Sequence, residues 1–142
     1  MSAILLRHAS AGDRLEWRGD DTQRPLDECG RAQAEALRDE LLARGVTRVV
    51  SSPYLRCTET VEPVASALGV EVELDERLAE GAGPDGAREL LAACDDCVAC
   101  THGDIVEELI GRPLKKGAAA VVDVEDGGVR VLDTIKAPNR RR

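Results

Sequence analysis

Short apolar segments alternate with helix-like segments along most of the chain, and this alternation constrains the fold more than any other feature. Ala3-Ile4-Leu5-Leu6 is followed, after a long polar loop, by apolar residues at helical spacing from Asp27, a good N-cap, to Gly45. Residues 48–51 and 97–101 are further strand-like segments. Strands separated by helices need crossover connections, so the sequence predicts a largely parallel sheet with helices on both faces.

The remaining segments complete this pattern. The sequence predicts a helix over 54–68 that Pro63 should break or kink, a half-exposed strand over 70–74, a helix over 87–93 and a helix around 105–110. Residues 118–124 and 129–135 flank Asp126-Gly127-Gly128, which is typical of a hairpin turn. We therefore expect an α/β fold, a three-layer α/β/α sandwich whose largely parallel sheet carries an antiparallel edge strand from the C-terminal hairpin.

Length and charge narrow the classes of protein to consider. The 142 residues fit one domain, which we expect over 1–136, followed by a basic tail at 137–142. A net charge of −8 disfavours a nucleic-acid polymer as partner, because such affinity depends on clustered Lys and Arg. No apolar run reaches membrane-spanning length, so we expect no membrane partner. The five cysteines do not resemble a secreted disulfide framework, which favours a cytoplasmic protein.

Two sequence patterns resemble metal-binding or cofactor-binding motifs, but neither is complete. Cys94, Cys97 and Cys100 have a spacing that suggests metal or an iron–sulfur cluster, but a fourth cysteine is missing, and Cys97 and Cys100 would face opposite sides of a strand. We interpret them as small core residues and expect no metal and no cofactor. Residues 81–86 fit Gly-x-Gly-x-x-Gly, but no strand leads directly into them and Pro84 removes a donor, so a rim loop is the better interpretation.

The two histidines give the first functional signal. His8 and His102 each directly follow a predicted strand, Arg7 precedes His8, and Arg56 lies early in the helix after another strand. In folds of this class, ligands bind beyond the carboxyl ends of the strands. Guanidinium groups match phosphate oxygens and an imidazole can attack phosphorus, so this set predicts a phosphate site. One histidine alone would more often be an ordinary structural or surface residue.

The segments around these residues resemble the histidine phosphatase superfamily, the phosphoglycerate-mutase-like enzymes. They occur in the order typical of the family and span most of the chain. The segments are Leu5-Leu6-Arg7-His8-Ala9, Arg24-Pro25-Leu26-Asp27-Glu28-Cys29-Gly30-Arg31-Ala32-Gln33-Ala34, Ser51-Ser52-Pro53-Tyr54-Leu55-Arg56-Cys57-Thr58-Glu59-Thr60 and Thr101-His102-Gly103.

The resemblance implies a role for each residue of the phosphate site. His8 would be the nucleophile that becomes phosphorylated. Arg7, Arg56 and His102 would hold the phosphoryl oxygens and stabilise the charge that develops on them.

Members of the family also use a glutamate, as general acid for the leaving oxygen and then as base for water. Glu80, in Arg77-Leu78-Ala79-Glu80, fits the commoner family pattern and is our prediction, with Glu76 as the alternative. The polar group usual after the first histidine is not evident. Ser10, Arg14 and Arg18 are candidates to replace it, and we predict Ser10 and Arg18 as substrate-binding residues; an exposed, salt-bridged loop is the plainer interpretation.

The short stretch between Arg56 and His102 has no room for the insertions that build a lid in mutases of this family, so we expect an open site. The chain resembles the compact SixA-type phosphatases, some of which act on phosphohistidine proteins. The stretch with Gly19-Asp20-Asp21 and Arg24-Pro25-Leu26 also resembles the histidine-phosphatase domain that actinobacteria fuse to MutT-type Nudix hydrolases.

These likenesses imply a metal-independent phosphatase that forms a phosphohistidine intermediate. Its substrate would be a small phosphomonoester or a phosphohistidine protein. The alternative is a non-catalytic module that binds phosphate or a phosphorylated protein in the same pocket.

Overall fold

The computed structural model describes residues 2–138, and within them the chain forms six strands and four α-helices. In chain order these are β1 (Ala3–Arg7), α1 (Glu28–Ala43), β2 (Arg48–Ser51), α2 (Leu55–Leu68), β3 (Glu73–Leu74), α3 (Pro84–Ala92), β4 (Cys97–Thr101), α4 (Gly103–Ile110), β5 (Ala119–Glu125) and β6 (Gly128–Ile135). Single 3₁₀ turns, Asp21–Gln23 and Glu76–Leu78, lie in the loops after β1 and β3. From residue 139 onward, the predicted basic tail lies outside the described residues.

The strands form one sheet in the order β3-β2-β4-β1-β5-β6. The first four strands in this order pair in parallel, whereas β5 is antiparallel to β1 and β6 is antiparallel to β5. The predicted α/β architecture with an antiparallel C-terminal hairpin is confirmed. The hairpin adds two strands, and β6 forms the edge.

Alternating side chains of the central strands build a core on each face of the sheet. Leu5 of β1 and Ala99 of β4 pack with buried residues of α3 and α4, while Leu6 and Val98 pack with buried residues of α1 and α2. A strand that is buried on both faces must be apolar at every position, which explains the continuous apolar runs in β1 and β4. The predicted three-layer arrangement follows from this division.

Three elements of the structure differ in extent from the predicted ones. Pro63 does not break α2, which runs to Leu68, because the burial of Val61 and Val64 offsets the hydrogen bond that proline removes. The helix predicted over 87–93 begins earlier, at Pro84, since the first helical position needs no N–H donor. The strand predicted over 70–74 is reduced to Glu73–Leu74, which pairs with β2 at the sheet edge.

The cysteines depart in part from the predicted core role. Cys94 and Cys97 form a disulfide at the start of β4, which the spacing did not reveal. Cys97 and Cys100 do contribute to opposite faces of the sheet, as expected. Among residues 2–138, no group of three or more His, Cys, Asp or Glu side chains is arranged to hold a metal ion. None of the helices in that range is long and apolar enough to cross a membrane.

The loop that follows β1 is fixed by polar residues of α1. Asp27, the N-cap of α1, accepts hydrogen bonds from the Ser10 hydroxyl at 2.7 Å and from the Gly12 and Gly30 N–H groups at 3.0 and 2.7 Å. Gln33 Oε1 accepts from the Ser10 N–H at 3.0 Å. Helix and loop also touch directly, because a Cβ on Gly30 would lie only 1.9 Å from the Ser10 carbonyl oxygen.

Gly30→Ala should therefore destabilise the protein. In an unobstructed helix interior, alanine is favoured over glycine by about 1 kcal/mol. Here the added methyl must displace the Ser10 carbonyl, and overpacking of this kind typically costs about 1–3 kcal/mol. Urea denaturation measures the difference. Cys29→Ala, at the exposed neighbouring position, is the matched control and should change the free energy of unfolding by less than about 0.5 kcal/mol. A Gly30→Ala protein as stable as the wild type contradicts the close contact.

Candidate active site

The predicted histidines and arginines meet beyond the carboxyl ends of the parallel strands. Arg7 ends β1 and His8 follows it, Arg56 is the second residue of α2 after β2, and His102 is the N-cap of α4 after β4. Because β2, β4 and β1 are neighbours in the sheet, these side chains line one cavity of about 320 Å³. The ring centroids of His8 and His102 are 5.5 Å apart.

Glu80 lines the same cavity, so all five residues predicted as catalytic are brought together. Glu76 is exposed at the start of the 3₁₀ turn Glu76–Leu78 and is not among the residues that line the cavity. The loop that carries Glu80 is held at three points. Leu78 is buried in the core, its carbonyl accepts from the Thr101 hydroxyl at 2.6 Å, and the Gly81 N–H donates to Asp104 at 2.8 Å.

The structure does not bring the two predicted substrate-binding residues of the first loop to this cavity. Ser10 is buried beneath it and donates its hydroxyl hydrogen to Asp27. Arg18 is exposed and is not among the lining residues. Arg14, from the same loop, does line the cavity and pairs with Glu80 at 2.7 Å. Contact of Ser10 or Arg18 with a substrate stays a prediction.

Arg56 is fully buried, and its charge is balanced by two carboxylates. Its Nη2 lies 3.1 Å from Asp21 Oδ2 and 3.1 Å from Glu80 Oε1, and its Nη1 donates to the Asp21 carbonyl at 2.8 Å. The Tyr54 ring adds a cation–π contact, with the guanidinium carbon 4.9 Å from the ring centroid. These contacts fix the orientation of the guanidinium group.

His8 is held in one tautomer. Its Nδ1 lies 2.8 Å from the Ala9 carbonyl oxygen, which can only accept a hydrogen bond, so Nδ1 carries the proton and the neutral ring has its lone pair on Nε2. Burial lowers the pKa of His8 to about 3, and the nearby charges of His102, Arg56 and Arg7 act in the same direction. The imidazole is therefore neutral at physiological pH, with an Nε2 that can act as a nucleophile.

The cavity is lined by buried nitrogens that lack hydrogen-bond partners. Among residues 2–138, the buried side-chain polar atoms without a partner are Arg7 Nε, Arg56 Nε and His102 Nδ1. All three belong to side chains that line the cavity. Buried polar atoms are normally satisfied, and the two guanidinium nitrogens can only donate, so their concentration here indicates a site for a ligand rich in acceptor oxygens. An oxyanion such as phosphate has this chemistry.

One glycine and one serine support the side chains of Arg7 and His102. A Cβ on Gly103 would lie 2.9 Å from the guanidinium carbon of Arg7, so the absence of a side chain at 103 gives Arg7 its place. Ser52 Oγ lies 2.9 Å from His102 Nε2, which occupies that ring nitrogen and leaves Nδ1 as the unpartnered atom. Both residues belong to the segments that resemble the family, and the structure explains why they are needed.

Several residues of the cavity were not found from the sequence. Asp104 and Glu107 line it from α4, and Asp21 reaches Arg56 from a distant loop. Tyr54 packs against His102 with ring centroids 4.6 Å apart. The inclusion of Asp104 and Glu107 depends on where α4 starts. No local pattern near Asp21 specifies Arg56 as its partner.

Comparison with known proteins identifies relatives in sequence and in fold. An 8-oxo-(d)GTP phosphatase of Mycolicibacterium smegmatis is 33% identical over 99% of this chain and 49% of its own length. This chain thus spans about half the length of the curated relative that it matches. Among solved structures, the protein histidine phosphatase SixA complexed with tungstate superimposes with a TM-score of 0.75 at 24% identity, covering 96% of this chain and 97% of that one.

A mycobacterial glucosyl-3-phosphoglycerate phosphatase complexed with VO3 superimposes with a TM-score of 0.71 at 18% identity, covering 97% of this chain and 99% of that one. At these identities the structural likenesses establish the fold. The model of the histidine phosphatase superfamily (branch 1) matches residues 3–87, which include His8, Arg56 and Glu80. The chain belongs to the histidine phosphatase superfamily (branch 1).

Proposed function

We propose that this protein is a phosphatase that hydrolyses phosphate monoesters or phosphohistidine through a phosphorylated His8, without a metal ion. The main support for this proposal is the state of His8 and its surroundings. A neutral His8, with Nδ1 bound to the Ala9 carbonyl, offers Nε2 to a cavity whose buried donors lack partners. A phosphoryl group in that cavity would satisfy those donors and meet the nucleophile at once.

In the first step, His8 Nε2 attacks phosphorus and the bond from phosphorus to the leaving atom breaks, which is an oxygen in an ester and a ring nitrogen in phosphohistidine. Glu80 gives a proton to that atom, so the alcohol or the imidazole leaves neutral. Arg7, Arg56 and His102 stabilise the charge on the remaining phosphoryl oxygens. The hydrogen bond from Nδ1 to Ala9 stabilises the positive charge that the ring acquires on phosphorylation.

In the second step, water attacks the phosphohistidine and the phosphorus–nitrogen bond breaks. Glu80 takes the proton from water, inorganic phosphate is released, and His8 returns to its neutral form. The ion pairs of Glu80 with Arg56 and Arg14, at 3.1 and 2.7 Å, hold its carboxyl group within the cavity, where the proposed proton transfers take place. The charge that the reaction needs comes from side chains, which is why we propose a metal-independent reaction.

Two substrate classes follow from the relatives. The relative described as an 8-oxo-(d)GTP phosphatase suggests a small phosphorylated molecule, and the likeness to a protein histidine phosphatase suggests a phosphohistidine protein. The proposal covers both, together with a single phosphatase domain over 1–136 that acts in the cytoplasm.

His8→Ala should abolish turnover of an aryl phosphate, with a loss of about a thousandfold or more, because no other nucleophile replaces the imidazole. Excess chelator should leave the wild-type rate unchanged. Arg38→Gln, on α1 and not among the residues that line the cavity, is the control, and it should keep the wild-type rate. A wild type that binds phosphate but does not turn over would favour the binding module, and activity lost on chelation would contradict metal independence.

Glu80→Gln should lower kcat/KM about 100-fold or more for an alkyl phosphate, whose leaving oxygen needs a proton. For para-nitrophenyl phosphate the loss of kcat/KM should be much smaller, because that leaving group departs as an anion and kcat/KM does not include the later attack of water. Glu76→Gln, in the neighbouring exposed turn, is the matched control and should behave as the wild type. Equal losses on both substrates would indicate that Glu80 only positions Arg56.

The buried state of His8 should also appear in the pH dependence of stability. Its pKa is about 3 in the folded protein and near 6.5 when unfolded. Between these values the unfolded chain binds a proton that the native ring does not. The free energy of unfolding therefore falls with decreasing pH by up to about 1.4 kcal/mol per pH unit, whereas above pH ~6.5 this contribution is complete.

Urea denaturation of wild type and His8→Asn, at neutral pH and about two units lower, measures this contribution. The variant should lose less stability than the wild type, because it lacks the titrating group. Identical losses would mean that His8 is not held neutral by burial.

A further inference from the structure

A second cavity, which the proposed reaction does not use, adjoins the active site. It has a volume of about 330 Å³ and lies between the loop after α4 and the end of β6. We call it the basic cleft and define it by Arg112, Lys115 and Lys136 on its rim and Leu114, Ala118 and Ile135 on its floor. Arg112, Lys115 and Lys136 are exposed, whereas Ala118 and Ile135 are buried.

The basic cleft carries positive charge, whereas the chain as a whole is negatively charged. The protein has a net charge of −8 and only three lysines, at 115, 116 and 136, and two of them line this cleft. No acidic side chain is among its lining residues. Four other cavities within residues 2–138, including the active site, each contain at least one carboxylate. The cleft is therefore a local attractor for anions on an acidic protein.

The cleft and the active site share a wall. Pro113 lines both cavities. The Leu114 carbonyl accepts from Arg7 Nη1 at 2.6 Å, and the Ala118 carbonyl accepts from the Arg7 N–H at 3.0 Å. The Gly117 N–H donates to the His8 carbonyl at 3.0 Å. A ligand that reaches from one cavity to the other thus stays in contact with one short segment, 113–118.

A further cation lies on the same segment. Lys116 follows Lys115 of the cleft and precedes Gly117, whose N–H donates to the Arg7 and His8 carbonyls at 3.1 and 3.0 Å. The segment that joins the cleft to the active site therefore carries two consecutive lysines.

We propose that the basic cleft binds a second phosphate group of the substrate, so that the protein prefers phosphate esters with a further phosphate over simple monophosphates. The apolar floor would contact the carbon skeleton that joins the two groups. This inference rests on the proposed phosphatase activity, and it narrows the substrate to small molecules that carry more than one phosphate.

The test compares substrates that differ by one phosphate. Fructose 1,6-bisphosphate with fructose 6-phosphate, and adenosine 3′,5′-bisphosphate with AMP, are the two pairs, one built on a sugar and one on a nucleoside. The double variant Lys115→Gln/Lys136→Gln removes two rim cations. Arg38→Gln/Arg88→Gln removes two partly exposed cations from α1 and α3, outside both cavities, and is the matched control for net charge.

In the Lys115→Gln/Lys136→Gln protein, the ratio of kcat/KM for the doubly phosphorylated substrate to that for its partner should fall roughly three- to tenfold in at least one pair. The control should keep the wild-type ratio. Added salt should reduce the wild-type preference, because the cations are exposed to solvent.

Binding separates this inference from the proposed function. Calorimetry on His8→Ala protein, with and without the lysine substitutions, measures affinity for the same pairs without turnover. A wild type that hydrolyses both members of each pair, with a ratio that the lysine variant leaves unchanged, overturns the subsite and leaves the phosphatase intact. A wild type that hydrolyses none of them while its affinities follow the predicted order supports the subsite and contradicts the activity. A lysine variant impaired only on a phosphohistidine protein also overturns the small-molecule subsite.

Discussion

The burial of Arg56 is the constraint on which the rest of the site depends. A fully buried guanidinium group loses its hydration, and the cost is several kcal/mol unless other groups compensate it. Asp21 and Glu80 supply that compensation from two loops that are far apart in the chain. The same charge pairs thus hold both loops over the ends of the strands, and the proposed acid comes close to the proposed nucleophile as a consequence.

The segments that resemble the family divide into residues that shape the site and residues that carry the chemistry. Asp27, Gly30 and Gln33 never reach the cavity; they hold the loop after β1 against α1. Thr60 does the same from α2, where its hydroxyl accepts from the Ala9 N–H at 3.0 Å. The position and tautomer of His8 are therefore set by neighbours that have no part in the reaction.

The largely parallel sheet with its C-terminal hairpin and the meeting of His8, Arg56 and His102 could be predicted, because strand ends and their following residues are local features of the sequence. The order of the strands in the sheet was not predicted. The capping of α1 by Asp27 was predictable for the same reason. The extent of α2 through Pro63 was not, since burial decides it. Contacts across loops, such as Asp21 with Arg56, also escaped prediction because nothing in the sequence specifies their partners. The pairing of Cys94 with Cys97 likewise depends on how α3 turns into β4.

The proposed reaction requires that His8 accepts the phosphoryl group. Rapid acid-free quenching of the wild type during turnover, followed by mass spectrometry of its peptides, detects that intermediate. We expect one phosphoryl group on the peptide that contains His8, and none in His8→Ala protein under the same conditions. Turnover without any protein-bound phosphoryl group, or a phosphoryl group located on His102 instead, would contradict it.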